Sequence, residues 1–430
     1  MALGGGTFLV QNKVLPGAYI NFVSRPRAMG TLGERGIVCM GMALDWGEEG
    51  MICVDVEEFQ LGCRDVFGYG YSHEKMKDLR ELFLGAKTAL IYRLNGGQKA
   101  ALTRGSLTAT AKYSGERGND LRITVAENVD QEGLYDVMTY LDLELVDSQT
   151  VATIEELEEN KFVVFSGTGQ PEETVGEPLA GGASGEVDGS AYEGMLKAAE
   201  KEAFTVLAYE GSDEITKKLF VNFTKRLRDE EGVKFVTVLY DYCKADYEGV
   251  ISVGTAPELV YWTAGMEAGA QVNESLTNRK YDGEYAVDAK DSKRNFEEGI
   301  QSGKFLFYDD GGEIRVLRDI NTFTSFESNK NSDFSSNRVV RVLDSIANDV
   351  ARIFSDYYLG KRSNNANGRN LLKAEILAYH EQLQQIEAIE NFTAEDVTVT
   401  QGTEKQDVVV YENVQPTDAM EKLYMRVEVV

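Results

Sequence analysis

The sequence predicts an α+β protein with a layered mixed α/β core, a small β domain inserted into it, and extended strand arms at the N- and C-termini. Three observations carry that expectation. Helical and strand periodicities alternate from residue 187 to 330, and period-two alternation fills Thr103 to Phe165. The closing stretch EKLYMRVEVV alternates Leu423, Met425, Val427 and Val429 with Lys422, Tyr424, Arg426 and Glu428, a strand pattern with no further strand behind it to pair with.

At 430 residues the chain exceeds one ordinary core. The expected organisation is an arm over 1–22, a first part of the core over 23–95, the inserted β domain over 96–186, and a second part of the core over 187–330. A C-terminal domain over 331–418 and a strand arm over 419–430 follow. The opening MALGGGTFLVQNKVLPGAYINFV holds two short apolar strands, around Phe8, Leu9 and Val10 and around Tyr19 and Ile20, separated by Pro16-Gly17. GIVCMGMAL reads as a strand, Leu79, Leu82 and Phe83 as a helix, and Ala89 to Leu94 as a strand. The passage GTGQPEETVGEPLAGGASGEVDGS reads as linker or irregular loop. Beyond it come a helix and strand in AYEGMLKAAEKEAFTVLAYEG, a helix carrying Leu219, Phe223 and Leu227, the buried strand VKFVTVLYDY, and a further strand before a helix rich in small residues. Asp309-Asp310-Gly311-Gly312 marks a hairpin. Val339, Leu343, Ile346, Val350, Ile353 and Tyr357 form one helical stripe, capped by Ser336 or Asn337 and stopped by Gly360. Leu372, Ile376, Tyr379, Leu383 and Ile386 form a second, followed by strands in DVTVTQG and DVVVYENVQP.

Composition narrows the function classes. Hydrophobic content of 43% with 27% charged residues is that of a globular chain. No run of about 18 apolar residues occurs, and MALGGGTFLVQNK lacks a secretory leader's layout, so membrane insertion and secretion are not expected and folding in a cytoplasm is. Cys39, Cys53, Cys63 and Cys243 form no C-x-x-C pair and are expected as buried free thiols. A formal charge of −27 argues against nucleic-acid binding.

Catalytic patterns are missing. The two histidines are His73 and His380, and His380 is expected on a solvent-facing side of its helix. No H-E-x-x-H, cysteine quartet or metal-spaced histidine pair occurs, and neither LAGGASGEVDG nor FSGTGQ has the layout of a phosphate loop. No catalytic residue, cofactor or metal is therefore predicted. One local charge pattern stands out: between Lys330 and Glu375 eight basic residues, among them Arg338, Arg341, Lys361, Arg362, Arg369 and Lys373, face five acidic ones. A basic stretch in so acidic a chain suits an acidic partner surface, or equally a solvated face laced with ion pairs. The terminal strand likewise has two readings, closing its own sheet or adding to a neighbour's.

The C-terminal text VVRVLDSIANDVARIF, NNANGRNLLKAEILAYHEQLQQIEAIENF and VQPTDAMEKLYMRVEV resembles contractile tail sheath proteins of myophages, defective prophages and R-type bacteriocins. GTFLVQNKVLPGAYINF, YSGERGNDLRITV, LAGGASG, AGMEAGAQVNESLT and LRDINTFTSF are similar to their counterparts there. The resemblance implies a structural subunit without a catalytic site that polymerises as stacked hexameric rings around an inner tail tube. Its arms, with Phe8, Leu9, Val10, Tyr19, Ile20, Leu423, Met425, Val427 and Val429 as the strand residues, would be exchanged between neighbours. It also implies baseplate and tail terminator partners, and a contraction that drives the tube through a cell envelope. Arg338, Arg341, Lys361, Arg362, Arg369 and Lys373 are then tube-facing candidates. The competing expectation is a monomeric α/β enzyme or binding module with self-contained termini.

Overall fold

The computed structural model describes residues 32–429 together with the backbones of Gly5–Gly6 and Ala18–Tyr19, which pair in parallel. Phe8, Leu9, Val10, Ile20 and the side chain of Tyr19 lie outside the described residues. The chain divides into two compact units. The larger comprises Gly33–Asn348, Ile386–Glu390 and Gln415–Val430, and the smaller includes Asp349–Gln385 and Asn391–Val414.

The larger unit begins with β1 (Ile37–Met42), β2 (Gly50–Asp55), α1 (Val56–Phe67), α2 (Lys77–Phe83) and β3 (Thr88–Arg93). The chain then leaves the core to build β4 (Ala101–Arg104), β5 (Leu107–Ala111), β6 (Leu121–Glu127), β7 (Tyr135–Leu141), β8 (Glu144–Val151), β9 (Val163–Ser166) and β10 (Thr174–Pro178). It returns through α3 (Gly189–Ala199), β11 (Val206–Tyr209), α4 (Glu214–Lys225), β12 (Val236–Tyr240), β13 (Val250–Val253), α5 (Leu259–Gly269), α6 (Lys293–Gln301) and β14 (Lys304–Phe305).

The central sheet runs β14-β13-β12-β11-β1-β3-β2, parallel except for β2. Its two halves, written on either side of the insertion, meet where Val38 pairs with Val206. Strands β11 and β13 are buried along their whole length, as a parallel sheet covered on both faces requires. Alternate residues serve opposite layers. Val38, Met40, Ala208, Val238 and Ile251 join α1, α2 and α5, whereas Cys39, Leu207, Leu239 and Val250 join α3 and α4. The small residues of α5 have a steric cause: a Cβ on Gly265 would stand 2.0 Å from the carbonyl oxygen of Leu82 in α2. Of the four thiols only Cys39 and Cys63 are buried. Cys243 is half-buried, and Cys53 is exposed because it points outward from the edge strand β2.

The inserted domain is a sandwich of sheets β8-β7-β6-β10 and β9-β5-β4 around one apolar core. Trp46, from a loop of the central core, fills part of that core, its ring 5.3 Å from Tyr113 and 5.9 Å from Phe162. Arg117 reaches back, donating to the Gly68 carbonyl at 2.8 Å, with its guanidinium 4.4 Å from the Tyr69 ring centre. The passage expected as irregular loop is in part a strand. Thr174 exchanges hydrogen bonds with Val125 N (3.0 Å) and Ile123 O (2.9 Å), and β10 pairs with β6 across a register shift near Gly176.

Next come the hairpin strands β15 (Phe307–Asp310) and β16 (Glu313–Val316), turned by Gly311 and Gly312 at φ 65° and 100°, as the Asp-Asp-Gly-Gly sequence predicts. Helix α7 (Asn337–Tyr357) ends before Gly360 in the left-handed region, and α8 (Ala366–Gln385) follows. In the smaller unit α8 buries Leu372, Ile376, Tyr379 and Leu383. It also buries His380 completely, against expectation, because the Phe392 ring stacks on the imidazole at 4.5 Å and widens the apolar face. Strands β17 (Val397–Gln401) and β18 (Val408–Glu412) form an antiparallel hairpin.

Candidate assembly interface

The C-terminal segment is anchored as far as Glu421 and exposed beyond it. Gln415–Pro416 pairs with Ile389–Glu390, and Thr417 N donates to Ala388 O at 3.0 Å. Ser336 donates to Asp418 at 3.1 Å. Glu421 is the last anchor, accepting from Thr277 Oγ1 at 2.9 Å and from Arg318 Nε at 2.7 Å. Past it, Leu423, Met425, Val427 and Val429 are 87, 75, 70 and 95% exposed, and residues 417–429 carry no regular structure. The alternating segment therefore completes no sheet of its own chain among the described residues. A strand needs a partner edge, and no described strand supplies one here. No local pattern marks Arg318 or Thr277 as anchors, since both act through a residue more than 100 positions away.

The hairpin β17–β18 offers such edges. It is a two-stranded sheet with Thr398 opposite Tyr411 and Val399 opposite Val410, so each strand has one side unpaired by any described strand. Val397 is buried, while Tyr411 is 69% exposed.

The six basic candidates separate. Arg341 is a correction: it is 3% exposed and donates to Glu267 at 2.6 Å and to the Glu274 carbonyl, with Asp319 3.6 Å away. Its charge is spent inside the subunit. Two carboxylates around one guanidinium cannot both be neutralised, and burial together with the Asp319 charge pushes the Glu267 carboxyl up to about 8. Arg338 is half-buried and donates to Thr417 Oγ1 at 3.0 Å and Glu387 O at 3.2 Å, tying down the base of the C-terminal segment. Lys361 and Arg362 are exposed, and Arg369 and Lys373 half-buried. Arg362, Arg369 and Lys405 line a cavity of about 470 Å³ whose apolar wall includes Phe354, Tyr358 and Leu372. The Arg369 guanidinium is steadied by Asn364 Oδ1 at 3.0 Å.

Residues 95–184 match the phage tail sheath protein beta-sandwich domain, 185–322 the phage tail sheath protein central domain, and 329–430 the phage tail sheath C-terminal domain. The crystal structure of a sheath tail protein from Desulfitobacterium hafniense shares 43% identity, covers 96% of this chain and 99% of its own, and superposes with a TM-score of 0.85. This chain belongs to the phage tail sheath family. The phage-like element PBSX protein XkdK of Bacillus subtilis is 33% identical over 99% of this chain and 100% of its own length. The anti-feeding prophage helical sheath, seen in its contracted state, is 12% identical, covers 97% of this chain and 99% of its own, and has a TM-score of 0.56, a likeness of fold. The protein is thus a structural sheath subunit of a phage or phage-tail-like particle, with the mixed α and β architecture its sequence predicts.

Proposed function

We propose that this sheath subunit polymerises as stacked hexameric rings around an inner tube, linked to its neighbours by donated strands, and that the polymer shortens to drive the tube through a target envelope. It assembles in the host cytoplasm with tube, baseplate and terminator proteins. The observation that carries this reading is the C-terminal segment, anchored at Glu421 and exposing an alternating apolar row immediately afterwards. Backbone hydrogen bonds to a neighbour's open edge supply affinity, and the apolar row fixes register. The unpaired edges of β17 and β18 are the acceptor of matching chemistry. Phe8, Leu9, Val10, Tyr19 and Ile20 form the second donor in this scheme. Lys361, Arg362, Arg369 and Lys373 face the tube.

Deletion of residues 422–430 tests the donor. Because no described residue outside the segment rests on those side chains, unfolding stability is expected to stay within about 0.5 kcal/mol of the parent. Polymers, scored by electron microscopy, are expected to vanish. Ordered cylinders built from the truncated chain overturn the proposal. For the tube contact, joint reversal of Arg362→Glu and Arg369→Glu is expected to lower sheath occupancy on purified tubes, and undiminished occupancy removes these residues from that role.

A further inference from the structure

His380 lies on α8 beneath the hairpin, with no exposed surface. Its Nδ1 is 2.9 Å from the carbonyl oxygen of Ile376, a group that only accepts, so Nδ1 carries a hydrogen. Its Nε2 points at Glu412 Oε2 in β18, 3.5 Å away, and neither atom has another hydrogen-bond partner among the described residues. A neutral ring with its hydrogen on Nδ1 would turn a lone pair toward a carboxylate oxygen, placing two acceptors face to face in a dry site. The clash disappears if Nε2 also carries a hydrogen. The Glu412 side chain is 27% exposed as a whole, but its Oε2 is buried and unpartnered like Nε2, so a single hydrogen between these two atoms is what the contact lacks.

Among the described residues, the charged groups next to the site on α7 and α8 are already matched. Tyr379, beside His380 on α8, donates to Asp349 of α7 at 2.9 Å, and Arg352 stands 3.0 Å from that carboxylate. Phe392 contributes only its ring face. Glu412 is therefore the counter-charge available to an imidazolium here.

We propose that His380 and Glu412 form a proton-dependent latch holding the hairpin β17–β18 on α8: the site takes up one proton when the hairpin docks and releases it when the hairpin lifts. Its consequence for assembly, that subunits accept a neighbour's strand best while the proton is held, rests on the reading of this hairpin as acceptor. The latch itself does not. The sign is fixed by the geometry: the docked state binds the extra proton, so docking weakens as pH rises.

The test uses the full chain before assembly. With two histidines in the sequence, labelled imidazole resonances resolve His380 from His73 by comparison with His73→Gln. The expected result is a His380 ring protonated on both nitrogens while the hairpin is docked. Amide protection over 397–412, corrected for intrinsic exchange, is expected to fall by up to about tenfold per pH unit as that proton is lost. In Glu412→Gln the amide donates to a neutral ring, and the protection is expected to become independent of pH. A His380 ring that is neutral while the hairpin remains protected overturns the latch, and that measurement requires no variant to fold. A demonstrated latch whose loss leaves polymer yield and its pH profile unchanged overturns instead the hairpin's role as acceptor.

Discussion

Glu267, Asp319, Arg341 and Asn337 illustrate how a charged residue type misleads when read without its surroundings. Arg341 sits in a basic stretch of the chain, yet it is buried and its guanidinium is shared by two carboxylates. Arg341→Met is expected to cost about 3–5 kcal/mol in urea unfolding, because it leaves buried negative charge without a counter-ion. Glu267 supplies a pH prediction. Its folded value near 8 lies above the ordinary carboxyl value of 4.5, so the folded chain holds a proton that the unfolded chain gives up. Its contribution is complete at the acidic end and is lost progressively as pH rises through that window, levelling off beyond about 8. Glu267→Gln should flatten this decline in thermal unfolding midpoints, and a variant as pH-sensitive as the parent rejects the assignment. His380 was misleading in the same way: position on the helix suggested solvent, whereas Phe392, twelve residues on, folds over it. The basic stripe was legible as residues, but which of its members face outward depends on partners distant in sequence.

Elements whose burial is uniform or strictly periodic were readable. The largely apolar runs of β11, β12 and β13 and the two long stripes of α7 and α8 form where the pattern places them. Elements that escape the pattern do so for identifiable reasons. In β10, Gly176 and the flanking acids mimic a loop, and the strand exists because β6 supplies its partner. Helix α6 buries only Gly299 and so shows little apolar stripe. The edge strand β2 and the helix α1 beyond it lie in a stretch interrupted by Gly50 and Gly62, with Leu61 left 83% exposed. The α2–α5 crossing gives a sharp test at this scale. Gly265→Ala brings a methyl group against the Leu82 carbonyl and is expected to destabilise the larger unit by about 1–3 kcal/mol or more, as overpacking does. A neutral effect in denaturant unfolding would mean the two helices separate freely.

For the whole molecule, a charge of −27 per chain is a standing resistance to packing many copies together. Polymer growth from purified subunits is therefore expected to improve as ionic strength rises toward about 0.15 M and long-range repulsion is screened, with light scattering as the readout. Growth that weakens steadily with salt would show that charge attraction dominates assembly instead. The inserted domain is held to the central core by side chains from both. With Trp46 seated in the sandwich core and Arg117 returned to the central unit, the two are pinned from both sides.

The grip of Arg318 on Glu421 also sets a leash. From that knot to Val429 are eight residues, which stretched taut cover at most about 29 Å. Any groove that receives them must open inside that radius, whatever the particle does, so two bodies joined this way can pivot and slide but never drift farther apart than the tether reaches.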